Sequence, residues 1–181
     1  MSAPAFEHVF PWTEEEFFAL GETVDRVELF DGSLYVSPTP TLRHQTLSRR
    51  LANALELAAQ QRGLEVYRAV NLRLRPGRVP IPDLVLVQPI DLDALVVEAA
   101  EVELVCEITS TDVAADRVTK MHYYAVAGIP WYLLVDPQGP TLQLYRLHGD
   151  HYVEEANAAP GQLLRFTAPI VADVDPASLE Q

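Results

Sequence analysis

Lys120 is the only lysine in the chain; the other twelve basic residues are arginine. Arginine stays charged, presents a flat fork and keeps its proton, whereas lysine is a compact point charge whose pKa moves readily on burial. A site that must place one ammonium on a water or a phosphate oxygen has reason to choose lysine. Lys120 lies thirteen residues after Glu107, which sits in an apolar run, and Asp83 opens an earlier apolar run. Charged groups in buried strands are costly unless paired or bound to metal. Two carboxylates at strand ends can converge on one edge of a sheet, and Mg²⁺ needs only one or two protein carboxylates beside its waters. Such an ion lowers the pKa of a water and neutralises charge at a scissile phosphate. Asp83, Glu107 and Lys120 therefore form a candidate metal-dependent hydrolase site. Each also has a structural reading: a turn cap for Asp83, an arginine partner for Glu107, and for Lys120 a solvated helix lysine paired with Asp116, one turn earlier.

The elements that would position these residues can be read from periodicity. Thr13 and Glu16 form a capping box before Phe17, Phe18 and Leu20, and Gly21 ends that short helix. Val27 to Phe30 and Leu34 to Val36 flank Asp31-Gly32, an N-terminal hairpin signal. A long helix is expected over residues 41 to 62, with Leu47, Leu51, Leu55 and Ala58 on one apolar face and Gly63 as its stop. Residues 65 to 75 alternate polar and apolar and read as one half-exposed strand before the Pro76-Gly77 turn. Residues 84 to 87, 104 to 108 and 131 to 135 are apolar without alternation, as strands covered on both faces are. A helix of about fourteen residues, ended by Gly128 and Pro130, joins the last two, so they should run parallel through a right-handed crossover. Leu142 to Leu147 and His151 to Val153 form a C-terminal hairpin, followed by a proline-rich, acidic tail. The expected fold is α/β, a single domain over 1–181 with a mixed central sheet flanked by helices and a core over about 24–155.

Length and composition suit one such domain: 181 residues, 49 % apolar and 22 % charged. No apolar run approaches the roughly 20 residues needed to cross a bilayer. The opening MSAPAFEHVFPW has neither a basic n-region nor an apolar h-region, so no signal peptide is expected. Cys106, the one cysteine, sits in an apolar run as a small buried hydrophobe. A cytoplasmic protein with no membrane partner is the expectation. The net charge of −13 argues against loose binding of nucleic acid. Residues 43 to 78 nevertheless carry eight arginines (43, 49, 50, 62, 68, 73, 75 and 78) against Glu56 and Glu65, a local charge of about +6. They either form a face for a polyanion or solvate one helix and one strand.

The ordered string of motifs resembles the PD-(D/E)XK nuclease superfamily and, more closely, the Uma-type restriction-endonuclease family, a large bacterial group whose members are mostly uncharacterised. The resemblance runs through Val27-Glu28-Leu29-Phe30-Asp31-Gly32, Ser37-Pro38, His44, Pro82-Asp83-Leu84, Val105-Cys106-Glu107-Ile108 with Thr109-Ser110, and Asp116 with Lys120. It continues through Tyr124-Ala125, Ala127-Gly128-Ile129-Pro130, Tyr132 and Val135-Asp136-Pro137. It implies a restriction-endonuclease-like core sheet of four to five strands. It implies Asp83 and Glu107 as ligands of Mg²⁺ or Mn²⁺, the backbone carbonyl of Ile108 as a further ligand, and Glu28 as an added ligand or holder of a metal-bound water. The superfamily lysine usually stands two residues after the second acid, where this chain has Thr109; the family's lysine is moved to the next helix, and Lys120 matches it. His44, in the first turn of the long helix, matches a family histidine that could touch a phosphate, or cap and pack.

Three activities follow as expectations. The first is a divalent-metal-dependent endonuclease acting on DNA, with any sequence specificity supplied by loops or a partner. The second is a nuclease-like binding or assembly module with weak or no catalysis, which the acidic charge favours. The third is hydrolysis of a small nucleotide. A homodimer is expected by analogy with restriction-type enzymes, through sheet edges left by the hairpins. Of Tyr123 and Tyr124, one should pack in the core, as should Trp131 and Tyr132. His8, His122, His148 and His151 show no ligand spacing.

Overall fold

A computed structural model describes residues 11–109 and 114–180, with only the backbone of 114–117. In chain order the elements are α1 (Glu14–Ala19), β1 (Arg26–Phe30), β2 (Ser33–Ser37), α2 (Leu42–Gln61), β3 (Glu65–Tyr67), β4 (Leu72–Arg73), β5 (Arg78–Val79), β6 (Leu84–Val87), β7 (Val97–Glu98), β8 (Val102–Ile108), α3 (Ala114–Val126), β9 (Trp131–Asp136), β10 (Thr141–His148), β11 (His151–Ala158), β12 (Leu164–Phe166) and β13 (Ala172–Val174). Short 3₁₀ turns cover Ala99–Glu101 and Pro176–Leu179.

Six strands form the central sheet in the order β11-β10-β9-β8-β6-β3. β8 and β9 are parallel, as the crossover through α3 demands, and every other neighbouring pair is antiparallel. The sheet is wider than the four to five strands expected, because the β10–β11 hairpin continues it past β9. β2-β1-β5 make a separate sheet against which Trp12 and Phe17 pack. Its β1–β2 turn has Asp31 and Gly32 both at positive φ, 51° and 85°. A Cβ at Gly32 would also meet Pro11 Cβ at 2.4 Å, so only glycine fits there.

Period-2 alternation splits the apolar strands between two cores. Leu84, Leu86, Leu104, Cys106 and Leu133 face α2, meeting Leu47, Leu51, Leu55 and Ala59. Val85, Val105, Tyr132 and Leu134 face the other way, toward Tyr124 and Ile129. α2 begins at a Thr41 cap and turns Ala59 inward, while Ala58 only borders the core.

Two expectations are corrected. Residues 65–75 do not form one strand: Ala69 takes φ 52°, and the chain leaves the central sheet after β3 so that β4 can pair in parallel with β7. The core also does not stop near 155. Leu164, Phe166, Ile170, Val174 and Leu179 are buried in the α2-side cluster, because the β12–β13 hairpin and the last 3₁₀ turn close over that side. No helix among the described residues is long and apolar enough to cross a membrane.

Candidate active site

Asp83 stands immediately before β6, its backbone N–H bonded to the Cys106 carbonyl, and Glu107 is the penultimate residue of β8. The register pairs Leu84 with Cys106, so the two acids lie at the same end of adjacent strands. Glu107 alternates with Cys106 and therefore shares the face of Val105, under α3. α3 carries Lys120 onto the same point. Its position is held from outside by Tyr123, whose ring stacks on Phe30 at 5.7 Å and lies 3.6 Å beneath the Arg78 guanidinium. That contact fastens the Lys120 helix to β1, the strand that bears Glu28.

The five expected side chains fall into two neighbouring groups, Lys120 with Glu28 and Glu107, and Asp83 with His44. Lys120 Nζ donates to Glu28 Oε1 at 2.8 Å and lies 3.7 Å from Glu107 Oε1. Glu28 Oε1 also accepts the Ile81 amide at 2.7 Å. Asp83 Oδ2 accepts the Ile108 amide at 2.7 Å and has His44 Nε2 at 3.1 Å, an approach that places a proton on Nε2. His44 is thus held at the site rather than packed away from it, and its Nδ1 is buried with no hydrogen-bond partner among the described residues. Side-chain exposure is 2 % for Asp83, 4 % for Glu28, 9 % for Lys120 and 12 % for Glu107, so of the three acids Glu107 is the one that opens most to solvent.

Two members were missed in the sequence. Arg26 donates from Nη2 to Asp83 Oδ1 at 2.8 Å. Tyr124, fully buried, donates its hydroxyl to Glu107 Oε1 at 2.6 Å. Both had a signal in spacing: Arg26 is two residues before Glu28, on the same face of β1, and Tyr124 is four after Lys120, on the same face of α3. Asp116, the proposed helix partner of Lys120, lies outside the described side chains. Thr109 sends its amide and hydroxyl to the Val135 carbonyl, so that position serves the β8–β9 ladder. His151 pairs with Asp150 on the exposed C-terminal hairpin, away from the site, and Trp131 and Tyr132 are core.

Electrostatics separate the two strand-end acids. Burial alone would raise the Asp83 pKa; the His44 hydrogen bond, the Arg26 charge and the Ile108 amide outweigh it and hold the carboxyl below its ordinary value. Burial raises Glu107 to about 7, with Asp83 and Glu28 adding to the rise and Lys120 and the Tyr124 hydroxyl opposing it. Burial likewise drives the Tyr124 phenol well above its ordinary value, so it stays a donor.

Among the described residues no three His, Cys, Asp or Glu side chains already close on one point as a metal cage. The donor set nevertheless suits a hard divalent ion held by few protein ligands. An ionised carboxylate accepts at about four lone-pair positions. Asp83 uses three, and Glu107 makes both of its contacts through Oε1. A carboxyl whose proton is kept mainly by burial, with two neighbouring acids adding to the effect, suits replacement of that proton by a cation.

The arginine-rich window presents less free charge than its sequence suggests. Arg43 pairs with Glu180, Arg73 with Glu14 and Glu98, and Arg75 and Arg78 with Asp31. Arg49, Arg62 and Arg68 are exposed.

Residues 14–174 match the Uma2 family, whose description reads "Putative restriction endonuclease". A solved structure described as "a putative nuclease belonging to DUF820 from Anabaena variabilis ATCC 29413" shares the fold, with a TM-score of 0.74 at 20 % identity, covering 93 % of this chain and 97 % of that one. Comparison with curated proteins finds no match.

Proposed function

This chain belongs to the Uma2 family, and from that premise we propose that it is a divalent-metal-dependent endonuclease that hydrolyses DNA phosphodiester bonds. The observation that carries the reading is the gathering of two buried acids, Glu28 and Asp83, and the half-buried Glu107 around the chain's only lysine, at the end of two adjacent strands.

Asp83 and Glu107, with the Ile108 carbonyl beside them, would hold Mg²⁺ or Mn²⁺, which when bound supplies charge neutralisation at the phosphate and a more acidic water. Lys120 would orient the attacking water through its ammonium. Glu28 fixes that ammonium, since its Oε1 is pinned by the Ile81 amide. Tyr124 fixes Glu107, and His44 fixes Asp83. In a homodimer, two such sites would meet the two strands of a duplex.

A plasmid-nicking assay at low salt with Mg²⁺ and then Mn²⁺ tests this. Wild type should nick only with metal, and Lys120→Met and Asp83→Asn should each lose at least about a hundredfold in rate. Equal cleavage by all three, or none by wild type, would sink the proposal. The second reading, a nuclease-like binding module, draws on the net charge of −13 and on the internal pairing of Arg43, Arg73, Arg75 and Arg78. A metal titration separates the two: a module without a site gives the same result for wild type and Asp83→Ala.

A further inference from the structure

We propose that Arg26 is the resident counter-cation of Asp83, occupying that carboxylate in the metal-free protein and leaving it when a divalent ion binds. The inference rests on the metal-dependent reading above, and it concerns a residue for which neither the motif string nor the family match supplies a role.

Charge balance and access point the same way. Glu28, Asp83 and Glu107 face two permanent cations, Lys120 and Arg26. With all three acids ionised, the cluster is short of one positive charge. A divalent ion would overshoot by one, and withdrawal of a single resident cation restores neutrality. Lys120 is poorly placed to go: its side chain is 9 % exposed and it spans Glu28 and Glu107. Arg26 is better placed. Its side chain is 18 % exposed and among the described residues it has one carboxylate contact, Nη2 to Asp83 Oδ1 at 2.8 Å. The contested oxygen also differs from its neighbour. Oδ2 is committed to the Ile108 amide and His44, which belong to β8 and α2 and stay with the fold, whereas Oδ1 is held by Arg26. A guanidinium on a flexible stem there protects a buried carboxylate from being left unpaired, which is costly, and its removal exposes a ligand oxygen already fixed in place.

Isothermal titration of the intact protein with MnCl₂ alone, at fixed pH and with thermal unfolding as the folding check, reads the competition. Arg26→Gln should bind Mn²⁺ about tenfold more tightly than wild type, as expected for loss of one charge-assisted bond. Arg26→Lys, which keeps a cation, should stay near wild type. A purely structural arginine predicts unchanged or weaker binding by folded Arg26→Gln; that result, or equal tightening by the lysine variant, overturns the inference and leaves the metal-dependent reading standing. No binding by wild type or either variant overturns both. A measurement on wild type alone covers a variant that fails to fold: phenylglyoxal labelling of Arg26, read by peptide mass spectrometry, should rise severalfold on adding Mn²⁺. Unchanged labelling under saturating metal overturns the inference.

Discussion

Asp83 and Glu107 end adjacent strands of one sheet, yet their surroundings differ in kind. Asp83 receives an arginine, a histidine and a backbone amide. Glu107 receives one tyrosine hydroxyl at 2.6 Å and an ammonium at 3.7 Å that is bonded more closely to Glu28. Both are desolvated. At Asp83 the donors outweigh burial and the pKa falls; at Glu107 burial wins and the pKa rises to about 7. The lesson is that burial alone does not decide the charge of a carboxylate; the balance between burial and its fixed partners does. One corner holds a carboxylate that favours its anion, and the other an acid that keeps its proton toward neutral pH.

The difference can be broken most forcefully at the Asp83 corner. Asp83→Asn removes the charge that Arg26 answers and should destabilise the metal-free protein by about 3 kcal/mol, read by urea unfolding in chelator. Stability within about 0.5 kcal/mol of wild type would show that the corner is not held by charge.

The two acids should also give stability opposite dependences on pH. Asp83 has a lowered folded pKa, so it contributes stability above its ordinary value, and that contribution is lost as pH falls through the folded value. Glu107 has a raised one, so the folded state holds a proton that the unfolded chain has released. Stability should therefore fall as pH rises from about 4.5 to about 7, by roughly 1 kcal/mol per pH unit. Melting curves in chelator across that window should show this slope for wild type and a flatter one for Glu107→Gln. An unchanged slope in the variant would assign the effect elsewhere.

Tyr124→Phe should cost about 1 kcal/mol, the worth of one hydrogen bond to a partner that keeps its charged option, and should raise the Glu107 pKa further, because the hydroxyl favours the anion. The smallest effect belongs to a pair outside both corners. Arg43 and Glu180 form an ion pair at 2.9 Å with side chains 63 % and 42 % exposed, and Arg43→Ala should change stability by less than about 0.5 kcal/mol. A larger loss there would mean that exposure is a poor guide to which pairs in this molecule matter.

Sequence alone determined the features that depend on local rules. The capping box at Thr13, the Asp31-Gly32 turn, the stripe of α2 and the parallel β8–β9 pair all follow from spacing, because caps, turns and periodicity act within a few residues. The lone lysine and the two strand-end acids were legible as residue types out of place in their surroundings. Tertiary structure decided what no local rule reaches. It decided that Ala69 breaks a strand whose alternation looks continuous, since β4 has a partner in β7 rather than in the central sheet. It decided that a proline-rich tail supplies Phe166, Ile170 and Leu179 to the core. Above all, it decided which cation answers which acid. Arg26 and Asp83 are 57 residues apart in the chain and Lys120 and Glu28 are 92 apart. Coulomb interactions depend on distance in space, and no spacing in sequence encodes that distance until the sheet has formed.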